Sequence, residues 1–246
     1  MAEAFIGCSG FNYRHWRGNF YPEKLPQKKW FEHYCTVFST VELNVTFYRL
    51  PAPETFAKWY RETPASFVFA IKGSRFITHV KRLADAEEAV HRYFDAALNL
   101  QEKLKVVLWQ FPPGFQANSE RLHHFLGLLK QYPVRQTFEF RHESWLTPET
   151  FDLCRAHGAS ICMADWPEFL VKTPTTAGFV YIRRHGHDRS YTGCYSPEEL
   201  AADASRIEDY LRKGKDVYIY FNNDLGGHAP QNAADLRQLL NTEHSL

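Results

Sequence analysis

Short apolar segments alternate with longer amphipathic segments along the whole chain, and this alternation constrains the fold more than any other feature. A short apolar run bounded by turn residues is typical of a buried strand, and helix-period segments between such runs are typical of β/α units. Repeated β/α units place parallel strands in one sheet with helices packed against it. The eight predicted strands are Ala4–Cys8, Thr40–Asn44, Phe67–Lys72, Val106–Phe111, Gln136–Arg141, Ser160–Asp165, Phe179–Arg184 and Asp216–Asn223.

Seven amphipathic segments predict helices, and two of them begin with a recognisable cap. Thr147-Pro148-Glu149 and Ser196-Pro197-Glu198 each place a capping hydroxyl before a proline of the first turn, which is a common way for a helix to begin. The segment 166–178 carries two prolines and lacks a helical pattern, so one unit is predicted to be irregular. The predicted helices are 27–38, 53–62, 85–100, 119–129, 147–157, 196–212 and 230–240.

Eight strands in a chain of 246 residues predict one α/β domain over residues 1–246, a (β/α)8 TIM-type barrel that is irregular between strands 6 and 7. The alternative is an open doubly wound sheet, which needs a glycine-rich first turn of the GxGxxG type. The first turn reads Gly7-Cys8-Ser9-Gly10-Phe11-Asn12 and does not match that pattern. The sequence therefore favours the closed barrel.

The composition predicts a globular protein of the cytoplasm. Hydrophobic residues make up 44% of the chain and charged residues 23%, which is enough apolar material for a large core. A net charge of +1 argues against a broad nucleic-acid-coating surface and leaves a local basic site open. The five cysteines form no CxxC pair and no secretory leader is visible, so a reducing compartment is expected. No apolar run approaches the roughly 18 residues of a membrane span, so no membrane partner is expected.

The segment Phe138-Glu139-Phe140-Arg141 carries the strongest indication of a site. Strand side chains point to opposite faces with a period of two, so Glu139 and Arg141 share one face while the two phenylalanines share the other. A charged face on an otherwise buried strand is costly unless it meets a partner, a ligand or water. This segment therefore predicts a charged lining inside the barrel.

The predicted strands end in charged or amide residues, and in barrels of this type the carboxyl ends of the strands hold the active site. Converging carboxylates in a low-dielectric cleft suit acid–base catalysis, whereas arginine grips phosphate or carboxylate groups bidentately. We therefore expect a pocket that binds a small anion. The predicted catalytic residues are Glu42, Glu139 and Asp165, and the predicted substrate-binding residues are Asn44, Lys72, Gln110, Arg141, Arg183 and Asn222.

The loop after the eighth strand adds a second predicted anion contact. Gly226 and Gly227 let backbone N–H groups approach a ligand, and the helix that follows presents its positive end. Barrels often bind phosphate in this region, so these two residues are predicted to form a phosphate loop. The alternative is an ordinary connection into a helix.

Other interpretations of these residues remain open. The arginines can form internal salt bridges with Glu42, Glu139 and Asp165 instead of binding a ligand. His142 or His185 could join the carboxylates in a divalent-metal site, although no dense motif such as HExxH supports one. No metal ligands are therefore predicted, and the cofactor is left unknown.

Five segments of the chain carry a family resemblance: 7–11 (GCSGF), 16–22 (WRGNFYP), 42–48 (ELNVTFY), 138–145 (FEFRHESW) and 220–223 (YFNN). They resemble the YecE-like family, domain-of-unknown-function family 72, over nearly the whole chain. The resemblance implies a TIM-type barrel but no established reaction, so no residue takes a catalytic role from it. The barrel type is similar to that of endonuclease-IV-like and sugar-isomerase-like proteins, whose metal ligands have no obvious counterpart here.

Three function classes fit these observations. The first is an enzyme that acts on a small anionic, phosphorylated substrate at the carboxyl-terminal face of the barrel. The second is a nucleic-acid-binding or phosphodiester-cleaving protein, in which aromatic loops stack bases and arginines contact phosphates. The third is a non-catalytic sensor that binds a ligand without converting it. The sequence does not decide whether the protein is an enzyme, which substrate it takes or how it oligomerises.

Overall fold

Parallel strands form the inner layer of the molecule. The computed structural model describes residues 1–167, 170, 173–187 and 191–243. Its strands are β1 (Ala4–Ser9), β2 (Thr40–Leu43), β3 (Val68–Lys72), β4 (Leu104–Gln110), β5 (Arg135–Glu139), β6 (Ser160–Ile161), β7 (Met163–Ala164), β8 (Phe179–Arg184) and β9 (Asp216–Phe221). The predicted sixth strand is divided at Cys162 into β6 and β7. The other predicted strands are confirmed with ends shifted by one or two residues.

The sheet closes into a barrel. Its strand order is β6-β5-β4-β3-β2-β1-β9-β8-β7, and every pairing is parallel. The two ends of this order are consecutive pieces of one segment, separated by Cys162 alone. The Cys162 backbone N–H donates to the Phe138 carbonyl at 2.8 Å, which continues the pairing with β5 across the break. The predicted (β/α)8 barrel is therefore confirmed.

Helices surround the sheet in the predicted places. The α-helices are α1 (Trp30–Val37), α2 (Val45–Tyr48), α3 (Pro53–Glu62), α4 (Glu87–Ala97), α5 (Ser119–Leu129), α6 (Pro148–Ala156), α7 (Pro197–Arg212) and α8 (His228–Glu243). The sequence analysis missed α2 and the π-helical turn Phe76–Val80, because one turn is too short to show a helical period. In the irregular unit, residues 165–167, 170 and 173–178 contain no α-helix, as predicted. Glu168, Phe169, Val171 and Lys172 lie outside the described residues.

The start of α7 shows how local sequence sets the position of a helix. The Ser196 hydroxyl accepts a hydrogen bond from the Glu199 backbone N–H at 3.3 Å, and the Glu199 carboxylate accepts one from the Ser196 N–H at 2.8 Å. This reciprocal capping box satisfies two N–H groups that the helix leaves without partners. The predicted cap is confirmed, and it fixes the helix that follows β8.

Two apolar layers lie on either side of the barrel wall. The outer layer packs strand residues such as Trp109 and Phe138 against Phe125 of α5, with ring centroids 5.0 and 6.3 Å away. The inner layer fills the lower barrel with small and aromatic side chains. Its upper members Tyr181 and Tyr220 lie just below the carboxyl ends of the strands. The interior is therefore a packed core below the carboxyl ends of the strands.

No helix in the described ranges is long and apolar enough to cross a membrane.

Candidate functional site at the carboxyl ends of the strands

Three charged residues from non-neighbouring strands meet inside the top of the barrel. They are Glu42 at β2, Glu139 at β5 and Arg183 at β8, and none is more than 1% exposed. The Arg183 Nη1 lies 2.6 Å from a Glu139 carboxylate oxygen, and Nη2 lies 2.9 Å from a Glu42 oxygen. One guanidinium therefore spans the barrel and bridges two carboxylates. We call this group the buried ion cluster.

Hydrogen bonds saturate the Glu42 side of the buried ion cluster. The Tyr181 hydroxyl donates to one Glu42 oxygen at 2.6 Å, and the Ser9 hydroxyl donates to the other. Asn44 in turn donates to the Ser9 oxygen at 2.9 Å. The Asn44 side-chain oxygen is buried and has no hydrogen-bond partner among the described residues. This amide oxygen is therefore available to a donor on a ligand.

Glu139 is surrounded by donors. Gln110 donates to it at 2.8 Å, and Arg141 contacts the same oxygen through Nε and Nη2, both at 2.6 Å. Burial alone would raise the pKa of Glu139, but Arg141 and then Arg183 outweigh it and hold this pKa well below the usual range. Glu139 is therefore ionised at neutral pH. The Arg141 guanidinium also lies over the Trp166 ring, 4.5 Å from its centroid.

Lys72 differs from the other charged residues of the site. It is 7% exposed, at the end of β3, and its Nζ makes no hydrogen bond or ion pair within the described part of the chain. The Nζ lies 4.1 Å from the centroid of the Phe47 ring. Burial, followed by the charge of Arg183, lowers the pKa of Lys72 to about 7. Lys72 is thus a buried amine that is part neutral at physiological pH.

His185 completes the wall of the site beyond β8. It is fully buried, and its Nδ1 lies 3.0 Å from the Asn222 amide nitrogen. Burial and then Arg183 lower its pKa well below the usual range, so the imidazole is neutral. Its Nε2 has no hydrogen-bond partner among the described residues and lies 3.9 Å from Glu139. The neutral imidazole therefore presents an unused nitrogen to the site.

Asp165 is not part of the buried ion cluster. Its carboxylate accepts hydrogen bonds from the backbone N–H groups of His185 at 2.8 Å and His187 at 3.3 Å, and from the Tyr195 hydroxyl. It lines a separate cavity of about 200 Å³ beside Arg184. These hydrogen bonds to Asp165 hold the loop after β8 in place.

Gly226 and Gly227 also lie apart from the buried ion cluster. Both have a φ of +77°, which a glycine adopts without strain. The Asn19 side chain donates to the Gly226 carbonyl at 3.2 Å, and a Cβ on Gly227 would lie 3.0 Å from the Asn19 amide nitrogen. The turn is therefore packed against the loop after β1, immediately before α8.

The structure thus brings together eight of the predicted site residues and separates three. Those brought together are Glu42, Asn44, Lys72, Gln110, Glu139, Arg141, Arg183 and Asn222. Asp165, Gly226 and Gly227 lie elsewhere along the rim. Sequence reasoning missed the contributions of Ser9, Phe47 and Tyr181. Tyr181 lies two residues before Arg183 on one strand face, and this spacing could have pointed to it.

Metal binding finds no support in the geometry of the described residues, where no three His, Cys, Asp or Glu side chains are grouped to hold an ion. A larger cavity of about 770 Å³ lies at the opposite, amino-terminal end of the strands, where Phe5, Lys103 and Tyr218 line it. Barrel enzymes place their chemistry at the carboxyl ends of the strands. The buried ion cluster and Lys72 are therefore the better candidate site.

Known proteins match this chain over almost its full length. It is similar to the UPF0759 protein YunF of Bacillus subtilis, with 27% identity over 98% of this chain and 96% of that protein. The crystal structure of a DUF72 family protein from Thermotoga maritima superposes with a TM-score of 0.83 and 31% identity, covering 97% of this chain and 99% of that one.

A more distant likeness supports the barrel fold alone. A D-psicose 3-epimerase crystallised in the presence of D-fructose matches with a TM-score of 0.56 at 8% identity, covering 100% of this chain and 99% of that one.

The family model described as "Protein of unknown function DUF72" matches residues 5–246. The resemblance predicted from the sequence motifs is confirmed, and the chain belongs to the DUF72 family.

Proposed function

We propose that this protein is an enzyme that acts on a small anionic, phosphorylated substrate bound at the carboxyl ends of the strands. One observation carries the proposal: among the described residues the Lys72 Nζ has no hydrogen-bond acceptor or ion-pair partner, whereas both nearby carboxylates already accept from other donors. A buried ammonium without a partner is costly. Perturbed groups of this kind concentrate at functional sites.

The charge balance of the site supports an anionic ligand. Among the described residues, Lys72, Arg141 and Arg183 face two carboxylates, those of Glu42 and Glu139, so one positive charge is in excess when Lys72 is protonated. The electrostatic potential beside the site is also positive. The pKa of the neighbouring His79 is lowered to about 4 by burial and then by the charges of Lys72, Arg75, Arg141 and Arg82. Lys72 and Arg141 would contact the anion. Asn44, Gln110 and Asn222 would orient its hydroxyl or carbonyl groups.

The roles of the carboxylates follow from their partners. Glu139 is a weak base because its pKa is held low, so we assign to Glu42 and Glu139 the task of fixing Arg183 and Arg141. Proton transfer, for which the sequence favoured Glu42, Glu139 and Asp165, passes in this proposal to Lys72, whose pKa near 7 suits it. Asp165 would shape the loop after β8.

The proposal also covers the glycine turn before α8, the domain organisation and the location of the protein. We assign to Gly226 and Gly227 a contact with the part of the substrate that lies farthest from Lys72, since both glycines lie before the positive end of α8. We propose that residues 1–246 act as one domain. We also propose a cytoplasmic location, which the free thiols of all five cysteines support.

An anion-binding assay followed by a substrate screen tests the proposal. Inorganic phosphate should bind the wild-type protein in isothermal titration calorimetry, and Lys72→Met and Arg141→Met should each weaken binding at least tenfold. Arg155→Met is the matched control, because Arg155 pairs with Asp152 on the exposed surface, and it should bind normally. Turnover of a phosphorylated sugar that is lost in Lys72→Met would establish catalysis. Binding without turnover of any phosphorylated sugar would favour the sensor, and equal binding by all variants would refute the site.

A nucleic-acid function is the second candidate, and one surface favours it. Tyr48 and Phe76 are 77% and 49% exposed and line a cavity of about 560 Å³ together with Lys81 and Arg92. Exposed aromatic rings beside cations can stack on bases and contact phosphates. Salt-dependent binding of a single-stranded oligonucleotide that is weakened by Phe76→Ala would support this function. Failure to bind at low salt would remove it.

A further inference from the structure

Two lysines are buried among the described residues, and they differ in their surroundings. Lys103 is 5% exposed, and its Nζ donates to the Tyr60 carbonyl at 2.6 Å and to the Thr63 carbonyl and hydroxyl at 2.9 and 3.0 Å. All three donors of that ammonium are used, as a structural role requires. The Lys72 Nζ has no acceptor among the described residues. Packing alone therefore does not account for Lys72.

The backbone of Lys72 is held firmly, although its amine has no hydrogen-bond acceptor among the described residues. The Lys72 carbonyl accepts hydrogen bonds from the Thr46 hydroxyl at 2.6 Å and from the Tyr93 hydroxyl at 3.1 Å. The next N–H, that of Gly73, donates to the Leu108 carbonyl at 2.8 Å. The side chain thus extends from a fixed point into the site. Such preorganisation is what a reacting group needs.

Charged groups from several elements face this amine. They are Arg183 from β8, Glu139 and Arg141 at the end of β5, Glu42 from β2 and His79 from the turn after β3. Burial and the arginines favour the neutral amine, and the carboxylates oppose them less strongly, so the pKa falls to about 7. A neutral amine carries the lone pair that a nucleophilic lysine requires. The neutral form is well populated at physiological pH.

We infer that Lys72 is a nucleophile that forms a Schiff base with the carbonyl group of an anionic aldehyde or ketone. This inference rests on the proposed function, narrows its substrate class and gives Lys72 a nucleophilic role in place of proton transfer. Arg141 holds the anionic end of the substrate, while the Phe47 ring forms an apolar wall beside the reacting nitrogen. The apolar wall excludes water from the imine carbon and slows its hydrolysis.

The chemistry balances without a further reactant. The Lys72 nitrogen lone pair attacks the carbonyl carbon, and the C=O π pair moves to oxygen, which gains a proton and gives a carbinolamine. The nitrogen lone pair then forms C=N as the hydroxyl leaves. The two hydrogens that the amine loses end on the expelled water, so no electron is gained or lost. A proton taken up from solvent converts the imine to an iminium, which accepts electrons, so a carbon–carbon or proton-transfer step next to it can then follow.

Reductive trapping tests the inference. Glyceraldehyde 3-phosphate is incubated with the protein and sodium cyanoborohydride, and the modified lysine is located by peptide mass spectrometry. We expect Lys72 to be modified at least tenfold faster than the exposed Lys58, and at least tenfold faster than by uncharged glyceraldehyde. The rate should rise with pH through about 7 and then level off, since it follows the neutral amine. Lys103 is the matched buried control and should stay unmodified.

Two variants separate failure of the inference from failure of the proposed function. Lys72→Met should abolish the fast adduct, and Arg141→Met should slow its formation and move the pH midpoint upward, because the Arg141 charge lowers the pKa of Lys72. If phosphate binds but Lys72 reacts no faster than Lys58, the Schiff-base role is wrong and the anion site stands. If phosphate does not bind, the proposed function is wrong as well. Circular dichroism of both variants establishes that the fold is intact.

Discussion

Arg183 and Glu139 form an ion pair in the sealed top of the barrel, with 2.6 Å between Nη1 and the carboxylate oxygen. Each residue is at most 1% exposed, and the two come from β8 and β5, which are not neighbours in the sheet. The Arg183 guanidinium is also bound by Glu42, and the two carboxylates outweigh burial to raise its pKa well above the usual range. This pair therefore ties opposite walls of the barrel together beneath the proposed ligand.

Glu139→Gln should destabilise the protein strongly. The substitution preserves shape but leaves Arg183 and Arg141 with one fewer negative partner, and breaking a buried ion pair from one side costs about 3–5 kcal/mol. Urea unfolding measures the change. Asp152→Asn removes the partner of the exposed Arg155 and should cost less than about 1 kcal/mol. Equal effects of the two substitutions would mean that the buried pair contributes no more than a surface one.

Lys72→Met should stabilise the protein at low pH. The folded pKa of Lys72, about 7, lies below the unfolded value of about 10.4, so the unfolded state binds more protons between these values. The penalty for burying the ammonium is full below pH 7 and disappears as the pH rises towards 10. We expect the free energy of unfolding to rise by on the order of 3 kcal/mol at pH 6, and this gain should shrink by pH 10. Urea unfolding at each pH measures it.

The same change at the other buried lysine should act in the opposite direction. Lys103→Met removes three hydrogen bonds and leaves the carbonyls of Tyr60 and Thr63 without their donor. An unsatisfied buried acceptor costs about 1–3 kcal/mol, so this variant should be less stable than wild type. A destabilising Lys72→Met at pH 6 would show that its amine has a structural partner after all.

Gly73→Ala should disturb the site through packing. A Cβ at Gly73 would lie 2.2 Å from a ring atom of the buried Trp109, so the indole must shift in a close-packed layer. Overpacking of this kind costs about 1–3 kcal/mol. Gly127→Ala is the matched control, since Gly127 is exposed inside α5 with open space at its Cβ. It should raise the free energy of unfolding by about 0.5–1 kcal/mol, and thermal unfolding compares the two.

Ser196→Ala should weaken the start of α7. It deletes the hydroxyl that accepts the Glu199 N–H, and loss of such a cap costs about 1 kcal/mol. Ser205→Ala makes the same substitution at an exposed position inside the same helix, where alanine is favoured by about 0.5 kcal/mol. Guanidinium unfolding should therefore shift in opposite directions for the two variants. A shift of the same sign would contradict the capping role.

The sequence by itself determined the elements and their faces. Periodicity predicted the strands, and Pro with Ser or Thr marked the starts of α6 and α7, because these preferences act within a few residues. Alternation also predicted that Glu139 and Arg141 share a face, and the two residues are in contact at 2.6 Å. Parallel strands align their carboxyl ends, so the predicted meeting of Glu42, Glu139 and Arg183 followed from the fold class.

Only the tertiary structure decided which side chains of the site pair and which groups remain without a partner among the described residues. Asp165 follows a strand as Glu139 ends one, yet its carboxylate accepts hydrogen bonds from backbone N–H groups of the loop after β8. Lys72 lies near the end of a strand, as Arg183 does, yet the carboxylates accept hydrogen bonds from other donors and not from its amine. Pairing depends on differences of a few tenths of an ångström in the distances between side chains across the barrel. No local pattern in the chain encodes them, because the partners lie up to 141 residues apart.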